Sequence, residues 1–406
     1  MTSTVSSPER RYDLDWIRVG AFFLLILYHV GMFYVPWDWH VKSPHPVEKL
    51  ELAMFLTNPW RLTLLFLVSG AATRFMADKV TVGALTGMRV ARLLPPLLFA
   101  MFVIVPPQSY YQVIEYVAAH PGAPVDAGAS YLDFWGKYVT ASGHWCSPDG
   151  CLITPTWNHM WFVAYLLLYT LALAGLLLAW KGAGQGLQRA AERMLKGPWL
   201  IALPVVYLGL LRAWLYPRYG ETHALIGDHY VHAVSFSAFL LGFGLAKSEL
   251  LRQRLIAVRW PALILAAMAY AGWAAFAFHY RNDTPTPTAE LKLLMRFVHA
   301  ADTWCSIVAI LGFGAKHLNR GGATLRYLTL GVFPFYLIHQ TLIVVAAHHL
   351  ARLGLPQPVE ATILIVFTFA GCLATYEAVR RIPGVRLLFG LKGQPRASAS
   401  RPPAFA

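Results

Sequence analysis

The chain has 406 residues, of which 57% are apolar and 13% charged, with a formal net charge of +14. A soluble domain carries about a quarter charged residues, so composition excludes one, and recurring apolar runs of about 18 or more residues predict an all-α, polytopic integral membrane helical bundle. The short alternating segments of a membrane β-barrel are absent, and four cysteines are too few for a disulfide scaffold.

The opening MTSTVSSPERRYDLDW is polar, lacks a short apolar stretch with a small-residue cleavage site, and runs straight into a long apolar segment, so it does not read as a cleaved signal peptide. Ten transmembrane spans are predicted, over 16–36, 58–77, 89–107, 157–180, 198–216, 230–247, 260–279, 297–316, 328–350 and 359–380. An even number returns both ends of the chain to one side. More than two thirds of the 34 Lys and Arg residues fall on that side, which makes both termini cytoplasmic; orientation in a lipid bilayer then accounts for the positive charge, with no nucleic acid. The longest loop, 108–156, is rich in Tyr, Trp, Pro and Gly and is expected to cover part of the outer face without forming a separate domain. Its Cys146 and Cys151 can pair in an oxidising compartment, whereas Cys305 and Cys372 sit in spans as small apolar fillers. The membrane unit comprises 1–392, and the Pro-, Ser- and Ala-rich 393–406 is expected to be a disordered cytoplasmic tail.

Polar residues inside spans carry the functional signal. Arg18 and His29, with ten residues between them, fall within about 20° of one helix face and about 16 Å apart along the axis, with Phe22 and Leu25 in the same stripe. An imidazole at that depth faces a cavity or a partner; the structural alternative is a histidine bonded between helices and an arginine snorkelling to the surface. Asp13 and Asp15 either pair with Arg18 or complement the helix start. Arg61 opens the second span on the face otherwise poor in positive charge, suited to an anionic acyl group, a sugar or a carboxylate partner, while Ser69 and Gly70 in the same span read as close helix packing. Arg89 and Arg92 share one face at the inner end of the third span, where planar guanidiniums suit a phosphate-bearing ligand or simply anchor the helix; Pro95 and Pro96 should break or kink that helix.

His159 and Trp161 open the fourth span, and His339 with Gln340 lies inside the ninth, where belt and cavity-lining roles compete. Trp39 and His40 in WDWHVKSPHP offer aromatic and hydrogen-bonding surfaces of the kind that bind sugars, and belt residues look the same. Glu377 is expected to pair with Arg380 or Arg381. No H-E-x-x-H or clustered Cys/His spacing points to a metal, and neither a nucleophile elbow nor a phosphate loop occurs.

Together these strings resemble acyltransferase family three, polytopic membrane proteins that acylate extracytoplasmic glycans. RYDLDWIRVGAFFLLILYHV carries the family's Arg, ten residues, His signature as Arg18 and His29; RVARLLP carries its Arg-x-x-Arg as Arg89 and Arg92; FLVSG, HMWF and YLIHQ stand where the family has similar strings. The resemblance spans about residues 11–392. It is nearest to the group that succinylates osmoregulated periplasmic glucans, through WDWHVKSPHP, Arg61 before FLVSG, and YEAVRRIPGVRLLFGLKGQP. It implies a multi-pass protein of the bacterial inner membrane with no permanently bound cofactor, acyl-CoA (succinyl-CoA) as cytoplasmic donor and a periplasmic glucan as acceptor. It implies His29 and Arg18 as catalytic, Arg89 and Arg92 on the coenzyme's phosphates, and acyl or glycan contacts from Arg61, Trp39, His40, His159, Trp161 and His339. His29 then serves as general base or as transient acyl carrier. A secondary transporter or flippase with a His/Arg relay, and a scaffold with polar packing pairs, are the competing readings.

Overall fold

Hydrocarbon offers no water to a backbone amide, so each long apolar run closes its hydrogen bonds inside a helix. The computed structural model describes residues 10–392 apart from 149, 283 and 284; the expected tail 393–406 lies outside the described residues. Its helices are α1 (Tyr12–Tyr34), α2 (Leu50–Thr57), α3 (Arg61–Ala77), α4 (Val82–Phe99), α5 (Pro106–Ala119), α6 (Tyr131–Val139), α7 (Trp161–Ala179), α8 (Ala183–Met194), α9 (Trp199–Trp214), α10 (Tyr216–Tyr219), α11 (His229–Leu245), α12 (Glu249–Ala257), α13 (Arg259–His279), α14 (Ala289–His317), α15 (Ala323–Leu350), α16 (Gln357–Val379) and α17 (Pro383–Arg386).

Among the described residues, nine helices or joined helices are long and apolar enough to cross a membrane, and they match nine of the ten expected spans. The remaining one, expected over 230–247, is α11, 17 residues long, which turns through 110° into α12. Ser248 makes the turn possible by accepting from the Leu251 amide at 3.1 Å and so capping α12. Helices α3, α14 and α15 are the most buried, while α9, α13 and α16 expose apolar side chains such as Leu210, Ile264, Met268, Val366 and Phe367. Such a surface suits lipid, not water.

Two expectations change. Pro95 and Pro96 sit inside a continuous α4, and the irregularity comes a turn later, where Ala100–Ile104 forms a π-helical turn leading to α5. In this wider turn the Val105 amide bonds the Ala100 carbonyl at 2.8 Å, just before Pro106 and Pro107, which lack amides of their own. The segment after this span is also more ordered than a covering loop: α5, α6 and a short hairpin enclose a small core of Val113, Val125, Phe134, Tyr138 and Trp145. Cys146 and Cys151 are disulfide-bonded across that hairpin. Cys305 and Cys372 are free and buried, and Glu377 pairs with both Arg380 at 3.1 Å and Arg381 at 2.7 Å.

Helices α3 and α11 approach closely because glycines face them. A Cβ on Gly70 would lie 1.9 Å from the Phe239 carbonyl oxygen, and one on Gly242 would lie 1.8 Å from that of Leu67. Both obstacles are backbone, so a side chain could be fitted only by pushing the helices apart. Gly70→Ala and Gly242→Ala are each expected to cost about 1–3 kcal/mol of overpacking, read as a lower unfolding midpoint in detergent, whereas Gly87→Ala, whose Cβ meets nothing within 4 Å, should leave the midpoint unchanged or raised. Equal midpoints for all three would remove the close approach as a stability determinant.

Candidate active site

The stripe on α1 meets α15 at two imidazoles. His29 Nδ1 lies 2.8 Å from His339 Nε2, with the rings 9° from parallel and 5.0 Å apart. The proton positions follow from the partners. His339 Nδ1 is 2.7 Å from the Tyr336 carbonyl oxygen, which only accepts, so Nδ1 carries the hydrogen and Nε2 of the neutral ring is an acceptor. His29 therefore donates from Nδ1, and its Nε2 keeps an unshared lone pair. Trp39 lies over His29 with centroids 6.4 Å apart.

The neighbouring groups close on one another. His159 donates from Nε2 to the Leu337 carbonyl oxygen at 3.1 Å and accepts at Nδ1 from the Gln108 amide at 3.4 Å. Gln108, fully buried, also donates to Thr341 at 2.7 Å, and its carbonyl accepts from Gln340 at 3.0 Å and Asn158 at 3.1 Å. The Gln340 amide donates to His40 Nε2 at 2.9 Å, and His40 passes its Nδ1 hydrogen to Gln112 at 2.7 Å. Four histidines thus fall into one self-consistent set of neutral tautomers, in which, among the described residues, His29 Nε2 alone is left without a hydrogen-bond partner. His40, on the loop between α1 and α2, has its pKa held below the ordinary imidazole value by burial, against the opposing Gln112 hydrogen bond.

Arg61 flanks this cluster. It is 3% exposed, its guanidinium carbon lies 3.6 Å from the Tyr28 ring centroid, and it reaches Thr57 at 3.5 Å. Among the described residues it has no carboxylate partner, and its Nε is unpaired. The expected alternative of an ion pair is thereby excluded there, and a buried guanidinium over an aromatic face remains able to take an anion.

Arg18, Arg89 and Arg92 also come together, close enough to repel one another. Arg18 takes Asp15 as partner at 3.4 Å, while Asp13 is held by Arg11 at 2.7 Å. Arg89 is buried and donates to Thr73, with its Nε unpaired. No hydrogen bond or ion pair holds Arg92 among the described residues. Three guanidiniums against one carboxylate leave a surplus of positive charge that a phosphate would balance. Between this cluster and His29 lies a buried layer in which Phe22 packs edge-on against Tyr336 at 5.4 Å and Phe162 at 6.4 Å. Trp161 stands apart from the histidines and stacks on His223 at 4.0 Å.

Gln108, Gln112, Asn158 and Thr341 were not among the residues singled out from sequence. Asn158 and Thr341 adjoin His159 and Gln340 in the chain, which was the available signal; Gln108 and Gln112 follow Pro106 and Pro107, where the apolar run ends and the chain reads as a loop.

A family profile described as "Acyltransferase domain", the acyltransferase 3 family, matches residues 11–377. Curated relatives named glucans biosynthesis protein C from Salmonella paratyphi B, Salmonella dublin and Salmonella enteritidis are each 23% identical over 412 residues, covering 96% of this chain and 97% of the relative. No solved structure gives a significant match.

His40 makes the cluster sensitive to acid. Once protonated, it cannot accept from Gln340, and because its folded-state pKa is lowered, the unfolded chain takes up more protons below about pH 6.5. Its contribution is fully present above that pH and is lost on acidification. The unfolding midpoint of the native protein is expected to fall as pH drops from 6.5 toward 5, more steeply than that of His40→Gln; parallel pH curves would show that another group titrates.

Proposed function

The chain belongs to the acyltransferase 3 family, and from that premise we propose that it moves a succinyl group from cytoplasmic succinyl-CoA to a glucose hydroxyl of a periplasmic glucan. In this reading it is a multi-pass protein of the bacterial inner membrane with both termini in the cytoplasm. The name of its relatives, glucans biosynthesis protein C, supports the acceptor, and the surplus of Lys and Arg on the terminal side supports the orientation.

The observation that carries the reading is the lone pair on His29 Nε2, the open position of a histidine set whose other ring nitrogens are all engaged. A glycan hydroxyl oxygen attacks the thioester carbonyl carbon and gives its proton to His29 Nε2. The new C–O bond forms, the C–S bond breaks, and the departing thiolate takes that proton as coenzyme A thiol. His29 keeps its Nδ1 hydrogen on His339 throughout, and the bond from His339 to the Tyr336 carbonyl fixes that ring's tautomer. Arg89 and Arg92 hold the coenzyme's phosphates, Arg18 positions the donor beside them, and the pantetheine arm reaches His29 by parting the Phe22 layer. Arg61, a buried cation without a carboxylate partner among the described residues, takes the free carboxylate of the succinyl group. His159, His40 and Trp39 line the acceptor side of the reacting imidazole.

Family membership favours transfer over transport, and label incorporation from succinyl-CoA into soluble glucan by purified protein tests it. His29→Ala is expected to lower the rate by about 10²–10⁴-fold with donor binding intact. Arg89→Ala and Arg92→Ala should raise the donor KM by roughly tenfold or more, and Arg61→Gln should raise it for succinyl-CoA and not for acetyl-CoA. Full transfer by His29→Ala would overturn the assignment.

A further inference from the structure

A polar cavity of about 160 Å³ opens among α3, α9, α11, α13 and α14, lined in part by Asn58 and Pro59 just before Arg61. Its volume corresponds to on the order of ten water positions, the size class of a single sugar ring. Two kinds of wall face it. Trp161, stacked on His223, and Trp273, edge-on to His299 at 4.8 Å, supply flat apolar surface. Arg212 supplies hydrogen-bond donors: it is 8% exposed, bonds the Tyr230 hydroxyl at 3.1 Å, and lies 3.6 Å from Glu221 at the exposed mouth.

That combination selects a ligand chemistry. A lipid tail would leave a buried guanidinium facing hydrocarbon, which is costly. An anion would compete with Glu221, which already balances Arg212. A neutral polyhydroxylated ring satisfies both walls: its C–H faces can pack on aromatic surface, while one hydroxyl can donate to Glu221 and another accept from Arg212. The position also fits. Glu221 is close enough to act electrostatically on Tyr28, whose ring centroid is 6.2 Å from that of His29, and the lining residues Asn58 and Pro59 lead directly into Arg61 on α3. Glycan seated here can extend toward Tyr28 and the neighbouring His29.

We propose that the cavity bounded by Trp161, Arg212, Glu221, His223 and Trp273 is a sugar-ring subsite that holds the acceptor glycan one unit away from the reacting hydroxyl. The assignment rests on the acyl-transfer reading for its purpose, but binding can be measured without turnover. In His29→Ala protein, a β-linked glucose tetrasaccharide is expected to bind with a change in tryptophan fluorescence. Adding Trp273→Ala or Glu221→Gln should weaken that binding at least tenfold, and Trp273→Phe should largely restore it. Coenzyme A binding, unchanged in every variant, reports that each is folded. In otherwise native protein, Glu221→Gln should raise the glucan KM and leave the succinyl-CoA KM unchanged. Undiminished tetrasaccharide binding in Trp273→Ala and Glu221→Gln, or no binding by His29→Ala protein that still takes up coenzyme A, overturns the subsite. Tetrasaccharide binding that depends on Trp273 and Glu221, in a protein that transfers no label, would keep the subsite and overturn only the transfer reading.

Discussion

A polar side chain inside a membrane protein must find its hydrogen-bond partners within the protein, because neither water nor lipid supplies them. The histidine and amide cluster meets this demand with groups from five places: His29 from α1, His40 from the loop between α1 and α2, Gln108 and Gln112 from α5, Asn158 and His159 from the lead-in to α7, and His339, Gln340 and Thr341 from α15. Shifting α15 by one residue would turn His339 away from His29 and strand Gln340, Gln108 and His40 together. The cluster is thus a register lock for the bundle as well as a site. The same closure fixes its geometry, since a network that, among the described residues, engages every other ring nitrogen presents the remaining one in a single tautomer and direction.

The arginines obey the opposite rule. Arg18, Arg89 and Arg92 form a group with more donors than the chain's own acceptors can engage, leaving Arg18 and Arg89 each with a buried, unpaired Nε. An unpaired buried donor is destabilising unless something arrives to meet it. Elsewhere at helix ends the same residue type is paired: Arg74 and Lys247 converge on Asp78, and Arg11 is held by Asp13. Buried unpaired donors also occur on Arg74, Arg252 and Arg259, so what sets the first group apart is that three guanidiniums meet with one carboxylate partner among them.

Helix count, span limits and the shared face of Arg18 and His29 were readable because they depend on apolar runs and on the 3.6-residue period. The partner of His29 was not, since 310 residues separate it from His339 and nothing local records that contact. The prolines at 95 and 96 misled for a related reason: a proline removes a hydrogen bond where it stands, but the place where the helix yields depends on what packs around it, and here that place is Ala100–Ile104. Trp161 was singled out beside His159 as one interfacial pair. Helical geometry turns the two apart, His159 toward α15 and Trp161 toward the cavity lined by Arg212.

The Phe22 layer gives the two clusters a common logic. Surplus guanidiniums on one side and a closed histidine network on the other would, if joined by an open channel, let ions and water pass. Phe22, Phe162 and Tyr336 instead pack ring against ring between them, with Leu25 buried beside Phe22 in the same stripe of α1. Aromatic contacts of this kind are worth about 0.5–1.5 kcal/mol each, so a layer of a few is held by only a few kcal/mol. A slender, mostly apolar arm suits such a seal better than a bulky polar one, because it replaces ring contacts with contacts of the same kind while its charged end stays among the arginines. The packed rings separate the arginine group from the histidine network, so that neither cluster's unmet polar demand reaches the other.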